Sequence, residues 1–301
     1  MTKRDLITFI TLSFMWSLSF VFYRIGVPEF GSLTFASLRV IFAGLVMLIF
    51  VLISKKNRAG IREHWKLLAL VGLFSTAVPF VLFSFSAQSV NAGVLAVLNA
   101  SVPIMSGFIA STFFKDRLSK KQLLGLIIGV VGVIILMSEK LFGGGDQSKG
   151  LVEGLLPMGY ALLGSVGYAL GANFTRSYLY NVSPVAITAG SLIIASIIML
   201  PVTFYEFPYG QSISLKAWIS VICIGVFSTA IALIFMNQLI KNIGPTRATS
   251  ITLVIPIFAI ILGYVLLGEA LDTRAIVGSM VILFGTYLSL ELSVKQMMKH
   301  A

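Results

Sequence analysis

The sequence predicts an all-α integral membrane protein in which ten transmembrane helices form two five-helix repeats of inverted topology. Three observations carry that prediction. Hydrophobic residues fill 57% of the 301 positions and charged residues 11%, whereas a soluble domain is nearer half apolar and a quarter charged. The apolar residues fall in long charge-free runs. Finally, Phe-Ser-Thr-Ala occurs twice, at 74–77 and at 227–230, 153 positions apart.

The first run, Leu6–Tyr23, follows Met-Thr-Lys-Arg. It is longer than a signal-peptide core, and Arg-Ile-Gly-Val-Pro-Glu follows it rather than a small-residue cleavage site, so it is read as a retained span. Leu33–Ile53 comes next, broken only by Arg39. Leu67–Phe114 is charge-free for 48 residues. One crossing takes about 20, so this run holds two helices, with the polar patch Ser84–Asn91 as their turn. Gln122–Ser138, Gly154–Thr175, Ser177–Tyr205, Ala217–Ile240, Ala248–Gly268 and Ala275–Leu290 complete the ten. Their continuity, without apolar–polar alternation, argues against a β-barrel.

Loop charges test the count. With the N-terminus in the cytoplasm, sixteen of the 22 Lys and Arg residues fall in inside segments, densest at 55–66 and 115–121, and Arg24, Lys140, Lys149, Lys216 and Arg274 fall outside. That asymmetry is the one expected of a multi-pass protein in the cell membrane with both termini cytoplasmic. It also accounts for the net charge of +11, so nucleic acid is not an expected partner; a small-molecule solute and the lipid bilayer are. The single cysteine, Cys223, excludes disulfides within the chain and CxxC metal sites. No metal or other cofactor is expected.

The repeat extends well beyond four residues. A shift of 153 pairs Gly72 with Gly225, Pro103 with Pro256, Asp116 with Glu269, Leu118 with Leu271, Gly125 with Gly278 and Gly132 with Gly285. A shift of 152 pairs Ser13 with Ser165, Trp16 with Tyr168, Arg24 with Arg176, Ala43 with Ala195 and Met47 with Met199. The expected organisation is a first repeat over 1–140, a Gly-rich linker over 141–150, a second repeat over 151–294 and a cytoplasmic tail over 295–301. The linker glycines Gly143-Gly144-Gly145 lack the following Lys-Ser/Thr of a phosphate loop and read as a connector. Because five is odd, the second repeat enters the membrane from the opposite side, the usual frame of a secondary transporter.

Trp16-Ser17, a proline midway along each fourth helix, and an acid followed by a glycine-spaced fifth helix (Asp116-Arg117-Leu118 with Gly125, and Gly268-Glu269-Ala270-Leu271 with Gly278) together resemble the EamA-type branch of the drug/metabolite transporter superfamily. The resemblance covers nearly the whole chain. Asp116 departs from the glutamate common in the family, and Tyr168 stands where the second repeat might carry tryptophan. The resemblance implies a transporter, an exporter in a bacterial inner membrane, of small polar metabolites such as amino acids.

Candidate substrate-binding residues follow from the mirrored pattern. Proline inside a helix frees the carbonyl four residues earlier; for Pro103 and Pro256 these belong to Asn99 and Thr252. Interrupted helices at corresponding places in both halves point to a binding site; a plain packing kink is the other reading. Ser75, Thr76, Ser228 and Thr229 read either as pore lining or as interhelical glue. Asn173 and Asn237 either contact substrate or cap a helix end. Trp16 and Tyr168 read as cavity wall or as core packing. Arg39, the one charge well inside a span, holds a substrate carboxylate or phosphate, or else snorkels outward or pairs with Glu29.

No Asp or Glu lies mid-span and both histidines lie in cytoplasmic segments, which disfavours a buried-acid proton relay and a carboxylate that selects cations. The substrate is therefore expected to be neutral, zwitterionic or anionic. An enzyme is not expected, because HExxH, GxSxG and an intramembrane His/Asp pair are all absent. A lipid or lipid-linked carrier translocase with a laterally open cavity is the alternative. Monomer and homodimer are both compatible with the chain.

Overall fold

In lipid, a backbone must satisfy its own N–H and C=O groups, and the apolar runs do so as helices. The computed structural model describes residues 2–113, 120–142, 155–243, 248, 251–271 and 273–297, with the side chains of 137–142, 237, 240, 241, 243 and 289–297 outside that description. Asp116-Arg117-Leu118 and the glycines Gly143–Gly145 lie outside the described residues. Among those described there is no strand.

Lys3–Phe30, Ser32–Ile53, Lys55–Ser86, Ala92–Phe113, Pro184–Glu206 and Leu215–Met236 are each long and apolar enough to cross a membrane. Ile251–Leu267 and Thr273–Leu288 are shorter apolar helices. Lys120–Phe142 and Leu156–Tyr178 are helical as well. The long run from residue 67 does turn within the polar patch: helix ends at Ser86 and resumes at Ala92.

Two details differ from the sequence expectation. The basic stretch from Lys55, expected as a loop, is helical; Ser54 caps it by accepting from Asn57 N at 3.3 Å, and a non-helical His64 (φ −111°, ψ 19°) bends it before the apolar part begins. The helix expected from Ser177 instead starts at Pro184, where Ser183 accepts from Ala186 N at 3.1 Å and proline occupies a first-turn position that needs no donor.

Ser32–Ile53 packs along Pro184–Glu206, Lys3–Phe30 along Ile251–Leu267, Val78–Ser86 along Leu156–Tyr178, and Lys120–Phe142 along Thr273–Met297. In the last pair glycines bring the backbones together. A Cβ on Gly132 would stand 2.7 Å from Ile282 N, one on Gly278 2.7 Å from Leu136 N, and one on Gly285 2.7 Å from Gly125 O. These glycines are therefore consumed by a seam within the chain. Gly132→Leu is expected to prise it open at a cost of about 1–3 kcal/mol, visible as a lower melting temperature in detergent; unchanged melting would mean the seam yields freely.

Polar contacts gather the connections at two ends of the bundle. At one end Thr34 Oγ1 donates to Glu206 O (2.8 Å), Gln88 Nε2 to Ser32 Oγ (2.9 Å), and Ser214 N and Oγ to Glu29 (both 2.6 Å). At the other, Asn242 Nδ2 donates to Asp5 (2.8 Å) and Ser183 Oγ to Asn57 Oδ1 (2.9 Å).

Candidate functional site

The site is assembled where regular helix fails in both halves. Leu73–Ala77 and Val226–Ile231 are π-helical turns inside longer rods, and each contains a copy of Phe-Ser-Thr-Ala. A π-turn carries an extra residue and redirects the side chains around it; such turns recur at functional sites. The Ala92–Phe113 rod fails differently. It breaks at Ala100–Ser101, with Pro103 second in the helix that resumes. Hydroxyls take up carbonyls at the break: Ser101 Oγ and Ser165 Oγ donate to Leu98 O (2.6 and 3.2 Å), and Thr286 Oγ1 to Ala100 O (2.9 Å). Pro256 lies inside the unbroken helix Ile251–Leu267, where Ser17 Oγ donates to Ile255 O at 2.9 Å.

These irregular segments surround a cavity of about 290 Å3. Trp16, Arg39, Ser75, Thr76, Asn99, Tyr168, Ser228, Thr229 and Thr252, all singled out from the sequence, line it. Twelve of the eighteen described lining residues are repeat mates: Trp16 with Tyr168, Ser75 with Ser228, Thr76 with Thr229, Phe80 with Leu233, Asn99 with Thr252, and Val102 with Ile255.

One sequence candidate does not join that group. Asn173 is buried, and its Nδ2 donates to Ser106 O (3.1 Å), Ser106 Oγ (2.8 Å) and Ala169 O (2.9 Å), so it ties two helices together. Asn173→Ala is expected to lower stability by about 1 kcal/mol and leave ligand-induced melting shifts unchanged; a lost shift would put it in the site. The side chain of Asn237 lies outside the described residues.

Arg39 is the charged member among the described lining residues, and only 6% of it is exposed. Its Nε donates to Thr229 Oγ1 at 3.0 Å and its Nη1 to Tyr23 OH at 2.6 Å. Its guanidinium lies 3.6 Å from the centroid of the Phe80 ring, a cation–π arrangement. Both oxygen partners are themselves anchored: Thr229 Oγ1 donates to Ile224 O (2.8 Å), the i−5 carbonyl of the π-turn, and Tyr23 OH donates to Phe80 O (3.3 Å). Glu29, the partner considered from sequence, instead accepts from Ser214. Among the described residues no carboxylate lies within 4.0 Å of the Arg39 guanidinium.

The two Ser-Thr pairs differ. Ser228 Oγ donates to Met15 O at 2.7 Å and Thr229 is engaged by Arg39, which is the interhelical role. Ser75, Thr76 and Asn99 make no side-chain hydrogen bond among the described residues. Sequence reasoning missed Ser19, Phe20, Tyr23, Phe80 and Phe83, which also line the cavity. Trp16, Ser19, Phe20 and Tyr23 follow i, i+3, i+4, i+7 spacing, one face of a helix; that pattern was available in the sequence.

Next to the lining residue Tyr23 on the first helix stands a charged clasp. Arg24 Nε donates to Glu269 Oε1 at 2.7 Å, and Arg24 Nη1 donates to Ala87 O at 2.6 Å. Glu269 Oε2 accepts from Ala92 N at 2.7 Å, and Asn91 Nδ2 donates to Ala270 O at 3.3 Å. One ion pair thus joins the end of the first helix, the 87–91 turn and the 268–271 turn.

A family model described as EamA-like transporter family matches residues 4–138 and 155–290. An uncharacterized transporter of Archaeoglobus fulgidus is 24% identical over 95% of this chain and 98% of its own length. The uncharacterized inner membrane transporter YedA of Escherichia coli K12 is 28% identical over 92% of this chain and 87% of its own. A solved crystal structure at 14% identity superposes with a TM-score of 0.64 over 98% of this chain and 99% of its own, a likeness of fold alone.

Proposed function

The chain belongs to the EamA-like transporter family, and from that premise we propose that it is a secondary transporter of small polar metabolites, an exporter working by alternating access between two inverted five-helix repeats, 1–140 and 151–294. The observation that carries the reading is the cavity itself, walled by mated residues of both halves, with a π-turn from each.

The contacts support the inverted arrangement. Gly72 faces Ser191 O while its mate Gly225 faces Arg39 O, and Ser191 is Arg39's mate. Exchanging the halves thus exchanges these two contacts. Gly44 meets Ser196, the residue 152 positions later, as expected of a point on a pseudo-twofold axis. Residues 5 and 57 share one end of the bundle with 242 and 183, while 29, 34 and 88 share the other with 206 and 214. These shared ends support a first helix that runs in opposite directions in the two halves, and the proposed ten crossings.

In this arrangement the clasp of Arg24 and Glu269 closes the outer side. A cavity of about 290 Å3 is at the small end of ligand sites, which run from roughly 300 to 1,000 Å3; it favours a small solute over the lipid-translocase alternative.

Counterflow in liposomes tests the reading. Labelled amino acids and small organic acids are offered beside a fluorescent lipid. Saturable solute exchange supports the proposal, and lipid movement without solute exchange contradicts it. For orientation, Asn57→Cys and Gly144→Cys should label from opposite membrane faces; labelling from one face would end the ten-crossing topology.

A further inference from the structure

The transporter reading leaves open what charge the solute carries, and the cavity bears on that directly. We propose that the substrate is a small organic monoanion: a carboxylate on an aryl or short apolar body, without a cationic group. This inference rests on the proposed function and narrows it.

The first reason is an incomplete charge balance. Arginine does not deprotonate, and a buried ion without a counter-charge costs several kcal/mol. Arg39 is 6% exposed, and its oxygen partners are a threonine and a tyrosine hydroxyl. Neither neutralises it. Neutral hydroxyls and the Phe80 ring orient the guanidinium, and an anion remains for the ligand to supply.

The second reason is the geometry of what is left. A guanidinium has five N–H groups. One on Nε and one on Nη1 are taken, and Nη2 makes no hydrogen bond among the described residues. One Nη1–H and both Nη2–H groups remain, and a pair of guanidinium N–H groups is the fork that receives a carboxylate through two bonds. Anchoring of both partners and the ring against Phe80 fix the direction in which that fork points before any ligand arrives.

The third reason concerns the rest of the molecule to be bound. The walls beside the fork are aromatic: Trp16, Phe20, Phe83 and Tyr168 all line the cavity, and Phe83 and Tyr168 are stacked at 5.9 Å with 28° between their planes. No Asp or Glu is among the described lining residues, so an ammonium group finds no counter-charge among them. The hydroxyls of Ser75 and Thr76 can serve the second carboxylate lone pairs or one neutral polar substituent.

A matched set of probes tests the assignment: 3-phenylpropionate, 3-phenylpropionamide and 3-phenylpropylamine. Each is titrated into the purified full-length protein in detergent, and binding is read from the melting shift. The carboxylate is expected to stabilise, with the amide roughly 10- to 100-fold weaker, as losing a charge-assisted pair implies, and the amine without effect. Arg39→Gln should remove the preference for carboxylate over amide, and Arg39→Lys should restore part of it; gel filtration and the ligand-free melting point report whether each variant folds. If neither does, the wild-type ranking decides alone. Equal binding of amide and carboxylate, preference for the amine, or no shift with the carboxylate overturns the inference. Flux separates this failure from failure of the transporter reading. Vesicles that move neutral or cationic solutes keep the transporter and lose the anion, whereas carboxylate-selective binding without any flux keeps the anion site and loses the transporter.

Discussion

Replacing Arg39 with alanine is expected to reduce solute flux by about 100-fold or more while the protein still reaches the membrane folded. The side chain contributes two hydrogen bonds to oriented neutral partners and the charge of the cavity. Charge-assisted bonds contribute about 1.5–3 kcal/mol each, and each 1.36 kcal/mol is a factor of ten, so losing the ligand's contact alone accounts for the expected fall. Lysine is not an adequate substitute, because one point charge cannot reach Thr229 and Tyr23 together while stacking on Phe80; Arg39→Lys should retain only a minor part of the flux. A purely structural Arg39 gives a different result: a lower melting temperature, with flux per folded molecule unchanged.

The second large effect is expected at the clasp. With Cys223 changed to serine, cysteines at positions 24 and 269 joined by a short bifunctional thiol reagent should bring flux to the protein-free background, and a cleavable linker should restore it on reduction. The reason is topological. Arg24 lies in the last two turns of the first helix, Lys3–Phe30, and Glu269 follows the helix Ile251–Leu267, 245 positions away; under the proposed alternating access these two ends must part for the cavity to open on that side. Glu269→Gln removes the charge but keeps the shape. It should weaken the closed state by up to about 1 kcal/mol, since Arg24 is partly exposed at 26% and such pairs are screened. Full flux in the cross-linked protein would mean these ends never separate.

How much of this was legible in the sequence differs by element. The charge-free runs announced helices because lipid leaves a backbone few alternatives, and Ser84–Asn91 announced a turn because polar residues cluster there. Cavity residues were legible because the sequence pairs positions across its two halves: mated positions such as Trp16 and Tyr168, or Asn99 and Thr252, meet around one space. The π-turns were not legible, since Phe-Ser-Thr-Ala has no composition that separates an i→i+5 turn from ordinary helix; the repeated tetrapeptide marked the place but not its geometry. Nor were the partners of Arg39. Tyr23 and Thr229 lie 16 and 190 positions from it, and no periodicity joins three separate helices. Asn173 looked like a ligand contact because amides rarely face lipid; its hydrogen bonds go to a neighbouring helix instead. The basic stretch from Lys55 was read as a loop by its charge, yet a serine cap and a bend at His64 allow it to be helical.

The central claim is that the space around Arg39 meets water from both sides of the membrane, one side at a time. The most direct measurement is cysteine accessibility at Thr76, on the cavity wall, in a Cys223→Ser background, with a membrane-impermeant thiol reagent applied to vesicles of each orientation. Labelling is expected from both faces over time, and cross-linking positions 24 and 269 should stop it from the outer face while preserving it from the inner. Labelling from neither face, or from the outer face of the cross-linked protein, would contradict the account.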